Sequence, residues 1–354
     1  MNSIERVSLT LNRQKADRVP VFEHFWNDTV KRWQAEGHIV PGENLSRHFG
    51  FDIDELWAYV LTADMNFGQQ VVEETEETIL FKDGNGALLR KHKLHDSTPE
   101  HVAFDVEDAD GYYKKIRHLL TPDDIRLDYD GYAKTRAICK EDNRYFVTSG
   151  MLVFEAMLRI CGHENLLAGM ALEPEWVKEM AMDYARLIVK LQTKLFEREG
   201  LPDAVWYYED LGYKQSPFMS PQMYCDILQP AHRYVFDFAK GLGLPIIVHS
   251  CGYVEPLIPH LLEVGVDCLQ ALEVKAGMNL PALVDRFGDR LSFMGGIDAR
   301  VASTNDKEVI KKELETIIPA AKAKNGYIIH SDHSIPPQVD YETYRYFLET
   351  AKSL

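Results

Sequence analysis

A chain of 354 residues with 45% hydrophobic and 27% charged side chains has enough apolar material for a large core, which excludes disorder. Its formal net charge of −16, with no extended lysine or arginine cluster, would repel a phosphate backbone and excludes nucleic acid as a partner. No stretch reaches the roughly 20 apolar residues of a membrane span, and residues 1–6 lack the apolar run of a signal peptide, so a cytoplasmic protein without a membrane partner is predicted.

In chain order, short apolar runs at 19–23, 145–149, 204–208, 245–249, 266–271, 291–295 and 326–330 each end in polar residues and precede longer amphipathic stretches. That alternation predicts repeated βα units around a parallel sheet. Seven such runs come close to the eight of a (βα)8 TIM-type barrel with an N-terminal extension, in which 1–354 form a single domain. Within 175–200, Trp176, Val177, Met180, Tyr184, Leu187, Ile188, Leu191 and Leu195 follow a 3.6-residue period that Gly200 would stop. Ser220-Pro221 has the chemistry of a helix start. One segment breaks the alternation: 73–81 and 87–93, separated by Lys82-Asp83-Gly84-Asn85-Gly86, read as an inserted β-hairpin. Five scattered cysteines do not form a disulfide framework, and four of them read as buried packing residues.

The fifth is Cys251, in His249-Ser250-Cys251-Gly252 at the end of the 245–249 run. Alternate residues of a strand project to one side, so His249 and Cys251 can converge at the C-terminal rim, where barrel enzymes place their chemistry. Imidazole and thiolate are both zinc ligands, and a catalytic zinc usually takes three protein ligands. The last run continues into His330-Ser331-Asp332-His333, so His333 or Asp332 can supply the third; the competing reading has these residues only organising a loop. Glu209-Asp210, after Trp206-Tyr207-Tyr208, brings two carboxylates to the rim, of which one is expected to face inward. Glu209, Asp210 and His24 are the candidates for handling protons. Phe22, Phe25, Trp26, Trp206 and Tyr207 are candidates for an aromatic substrate pocket.

Asp17-Arg18-Val19-Pro20-Val21, Ile247-Val248-His249-Ser250-Cys251-Gly252, Met294-Gly295-Gly296-Ile297-Asp298 and Asp332-His333-Ser334-Ile335-Pro336-Pro337 give the chain a resemblance to the uroporphyrinogen decarboxylase superfamily. The resemblance implies a distorted (βα)8 barrel, and either a decarboxylase or a methyltransferase that exchanges methyl groups with a corrinoid protein. The decarboxylases resembling it grip a polycarboxylate with an arginine-rich segment, but here Val21-Phe22-Glu23-His24-Phe25-Trp26 follows Pro20. The thiol-methylating members carry a second, C-terminal cysteine, whereas no cysteine follows Cys268 and His333 takes that place. A zinc with one thiolate is the stronger Lewis acid. The resemblance therefore implies a Zn2+-dependent, O-demethylase-type enzyme that moves a methyl group from a methoxylated, aromatic donor to a cobalt(I) corrinoid (cobalamin) on a partner protein. Transfer from a methylcorrinoid to a thiol or folate, and a decarboxylase-like lyase, stand as alternatives. A homodimer stays open.

Overall fold

The computed structural model describes residues 1–95 and 97–354. Seven strands, β1 (Ile53–Trp57), β6 (Tyr145–Met151), β7 (Ala204–Tyr208), β8 (Ile246–Ser250), β9 (Cys268–Ala271), β10 (Ser292–Met294) and β11 (Tyr327–Ile328), pair in that order in one parallel sheet. The sheet is curled and helix-covered, an α/β arrangement of the TIM type. Its edge strands face a short bridging segment: Ile329 donates to the Pro20 carbonyl at 2.9 Å, Phe22 donates to the Ile329 carbonyl at 3.1 Å, and Asp52 donates to the Val21 carbonyl at 2.9 Å.

Six of the seven predicted runs coincide with strands of this sheet. The exception, 19–23, is reduced to a bridge between Val21 and Ile329. Pro20 has no N–H to give, and the Val21 amide is taken by the Asp52 carboxylate at 2.9 Å, so a regular ladder cannot extend. Asp52 also holds Arg6 and Arg18, which fastens the N-terminal helix Ser3–Leu11 beneath the sheet. In place of that run the sheet uses β1, Ile-Asp-Glu-Leu-Trp, whose central acids hid it from a hydrophobicity reading.

The inserted segment is larger than a hairpin. Strands β2 (Gln70–Glu74), β3 (Thr78–Lys82), β4 (Ala87–His92) and β5 (Glu100–Phe104) form an antiparallel sheet. The predicted 73–81 strand is broken because Thr75 closes a turn, its hydroxyl accepting from the Thr78 amide at 2.9 Å. This sheet keys into the helix Val153–Leu172 at Gly162, which sits at φ +69. A Cβ there would lie 2.2 Å from the Phe104 ring, so only glycine lets that ring enter.

The predicted helix at 175–200 is Pro174–Glu199, with all eight expected apolar residues buried and Gly200 at its end. Ser220 caps the next helical stretch by accepting from the Met223 amide at 3.1 Å. All five cysteines are free; Cys139, Cys161 and Cys268 are buried, while Cys225 and Cys251 are half-buried. Among the described residues no helix is long and apolar enough to cross a membrane.

Candidate active site at the barrel mouth

Strand alternation decides which side chains meet. Along β7, Trp206, Tyr208 and then Asp210 face the lumen, whereas Tyr207 and Glu209 face the helices. Along β8 the same parity sends His249 and Cys251 inward. The two side chains converge: Cys251 Sγ lies 3.3 Å from His249 Nε2. Asp210 joins them, its Oδ1 3.4 Å from His249 Nε2 and accepting from the Cys251 amide at 2.8 Å. The other imidazole nitrogen, His249 Nδ1, is bonded to Gln270 of β9, which fixes the ring with Nε2 toward the thiol.

A second trio shares the same sulfur. Donor atoms of Cys251, Glu273 and His333 lie within 4.8 Å of one another, as do those of Asp210, His249 and Cys251. Glu273 is held there by accepting from the Gly252 amide at 2.8 Å. Burial works against a charged His249, but the adjacent Cys251 and Asp210 raise its pKa well above the ordinary value. Asp332 and Cys251 raise His333 to about 10. Burial would raise Asp210, yet its bond to His249 holds it below the usual carboxylate value. These are the electrostatics of a site that favours a cation.

The backbone fixes this cluster by a glycine crossing. Gly252 has φ +77, and a Cβ on it would fall 2.3 Å from the Gly212 carbonyl carbon; a Cβ on Gly212 would fall 2.4 Å from the Cys251 oxygen. Leu211 and Tyr253 amides donate across the same crossing, to Ser250 Oγ at 2.9 Å and the Tyr213 carbonyl at 2.8 Å. Gly252→Ala should therefore destabilise the fold by about 1–3 kcal/mol, read by urea unfolding.

Several expected residues lie elsewhere, for physical reasons. Glu209 is corrected from proton handling to structure: fully buried, it accepts from the Phe154 and Glu155 amides at 2.8 and 3.0 Å, anchoring the helix Val153–Leu172, and from His232 Nε2 at 2.6 Å. Asp332 is likewise spent on backbone, accepting from Ala299 at 2.9 Å and Val274 at 3.0 Å, so the loop-organising reading applies to it. Tyr207 bonds Gln192 at 3.0 Å and packs on Phe236, away from the lumen. Trp26 stands at the N-cap of the helix Asn27–Ala35, its amide donating to the Ile335 carbonyl, and is not among the residues that line the groove described below.

His24, Phe22 and Trp206 do face the lumen, where a second polar cluster adjoins the first. His24 Nε2 lies 2.6 Å from Glu55 Oε2, and His24 Nδ1 lies 2.9 Å from His330 Nε2. Tyr208 links the clusters, donating to Glu55 Oε1 at 2.9 Å while its ring lies tilted over that of His249, centroids 4.7 Å apart. Behind them Glu23 takes the Ser331 hydroxyl and amide at 2.8 and 3.0 Å. Burial raises Glu23 from 4.5 to about 8 and drives His330 well below the ordinary histidine value. Glu55, Tyr208, Gln270 and Glu273 escaped the sequence reading. Of these, Tyr208 was accessible through its shared parity with Trp206.

The raised Glu23 value has a sign that can be tested. Between 4.5 and about 8 the folded chain keeps a proton that the unfolded chain has released. Stability from this group therefore falls as pH rises through that window, by about 1.4 kcal/mol per unit at the steepest. Urea unfolding at a series of pH values should show the slope in the wild type and a flatter profile in Glu23→Gln.

A groove of about 610 Å³ opens beside the second cluster, between one face of the helix Asn27–Ala35 and the Glu55–His24 pair. Phe22 and Phe25 line it; the thiol–imidazole cluster does not.

Comparison with known proteins accounts for this architecture. Residues 146–354 match the family model described as uroporphyrinogen decarboxylase (URO-D). Two proteins named uroporphyrinogen decarboxylase are similar, from Carboxydothermus hydrogenoformans (26% identical over 139 residues, 38% of this chain and 37% of that one) and from an Arthrobacter species (25% over 131 residues, 37% and 36%). The chain thus spans little more than a third of the length of those relatives. A solved methyltransferase from Methanosarcina mazei has the same fold over 100% of this chain and 99% of its own, with a TM-score of 0.68 and 13% identity. The chain belongs to the uroporphyrinogen decarboxylase family.

Proposed function

We propose that this chain is a zinc-dependent methyltransferase that moves a methyl group from a small methoxylated aromatic donor to the cobalt(I) corrinoid of a partner protein docked over the barrel mouth. The observation that carries this reading is the 3.3 Å approach of Cys251 Sγ to His249 Nε2 at that mouth. Zinc bonds to sulfur and nitrogen at about 2.3 and 2.0 Å, so two tetrahedral donors stand roughly 3.5 Å apart. The donor set fits the metal. His249 and Cys251 would hold it, with His333, Glu273 or Asp210 completing the set. When bound, zinc supplies a Lewis acid for the oxygen that loses its methyl group.

The remaining work falls to the protein. Gln270 orients His249, and Asp210 and Glu273 pin the backbone on either side of the sulfur. His24, between Glu55 and His330, is placed to hold a proton at its ring nitrogens. The same mouth is poorly suited to a polycarboxylate. In the groove beside it Lys31 is the one lysine or arginine among the described lining residues, and the carboxylate of Glu55, held below its usual value, faces it. Those features support methyl transfer over decarboxylation.

Zinc content tests the reading. The purified protein should hold about one zinc per chain, and His249→Ala should hold almost none. Mixing the zinc-loaded enzyme with methoxyphenols and a cobalt(I) corrinoid protein should change the corrinoid absorbance as it takes up the methyl group. Equal metal content in the wild type and the variant would remove the proposal.

A further inference from the structure

The groove and the metal cluster are separate features, and the groove has a chemistry of its own. Phe22, Phe25, Phe51, Val30 and Leu45 give it apolar walls, and its volume of about 610 Å³ suits a single-ring ligand with substituents. Glu55 stands at its inner end. Its carboxylate accepts from Tyr208 at 2.9 Å and is bonded to His24 at 2.6 Å, with Ser149 as a third partner, which leaves one of its four lone-pair sites for a ligand. Tyr208 then connects this end to His249 by ring contact at 4.7 Å.

We propose that this groove binds the aromatic donor, and that Glu55 selects a ring bearing a hydroxyl or ammonium group over one bearing a carboxylate. The inference rests on the methyl-transfer reading only for what happens next; binding in the groove needs no metal. A hydroxyl or ammonium can donate to Glu55, whereas a carboxylate brought to the same place meets a like charge in a water-poor setting. Burial acts to raise Glu55, but His24, Ser149 and Tyr208 hold it below its usual value, so the acceptor is ionised when the ligand arrives. Buried groups that expect a donor discriminate strongly against ligands lacking one.

Calorimetric titration with meta-methoxyphenol and meta-methoxybenzoate tests this in the wild type and three variants. The phenol should bind at least about tenfold tighter than the benzoate. Glu55→Gln, which keeps shape and removes charge, should bring the two within about threefold. Gln34→Trp, on the half-exposed helix face lining the groove, should weaken both by about tenfold or more. His249→Ala should leave the phenol preference intact. The proposal is overturned if the benzoate binds as tightly as the phenol, if Glu55→Gln keeps the preference, if Gln34→Trp changes nothing, or if neither probe binds at millimolar concentration. A protein that shows the preference but carries no zinc retires the metal reading and leaves the groove assignment standing.

Discussion

Cys251→Ala should lose bound zinc and slow methyl transfer by about a thousandfold or more, while its unfolding midpoint moves by only a few degrees. The argument is that this sulfur is the donor common to both trios, with Asp210 and His249 on one side and Glu273 and His333 on the other. Removing Asp210, Glu273 or His333 leaves an alternative oxygen or nitrogen in reach, so each of those single variants should retain more metal than Cys251→Ala. The sulfur is half-buried at the rim and packs little core, which is why stability is spared. Metal analysis alongside circular dichroism separates the two effects. Full zinc and full rate in the Cys251→Ala variant would show that the thiol is a packing residue.

The largest loss of stability is expected from a residue outside the chemistry. Glu209→Ala should cost about 3–5 kcal/mol, measured by urea unfolding at neutral pH. Its carboxylate satisfies two amides at the start of a 20-residue helix and one nitrogen of the fully buried His232, whose other nitrogen bonds Tyr224 at 2.9 Å. Alanine strands three buried donors at once. A variant as stable as the wild type would show that water reaches this pocket and replaces the carboxylate.

The contrast between Glu209 and Asp210 shows how far sequence reading reaches. That one of two adjacent carboxylates faces the lumen follows from strand period alone; which one depends on the parity of the whole strand. The neighbours could have set it, because His249 and Cys251 already mark the lumen side of the next strand and Tyr208 pairs in register with His249. The meeting of His249 and Cys251 was legible because it is local, two residues apart. The Glu55–His24 pair spans 31 residues, and the strand that carries Glu55 was invisible, since Asp54 and Glu55 interrupt its apolar character. Gln270 lies in the 266–271 run, read only as a strand, and Glu273 lies just beyond it; only the curl of the sheet brings them beside His249 and Cys251. Gly212 and Gly252 approach each other across two separate loops, a contact that strand and helix periods do not encode.

The ring of Phe104 seated at Gly162 places the appended antiparallel sheet at the kink that divides Val153–Leu172 into two helical pieces. The helix that receives the ring begins nine residues earlier, roughly 14 Å away, on the carboxylate next to Asp210. The first of those pieces is thus held at both ends, by the Phe104 ring and by the Glu209 carboxylate, which ties the seating of the appended sheet to the strand end that carries Asp210.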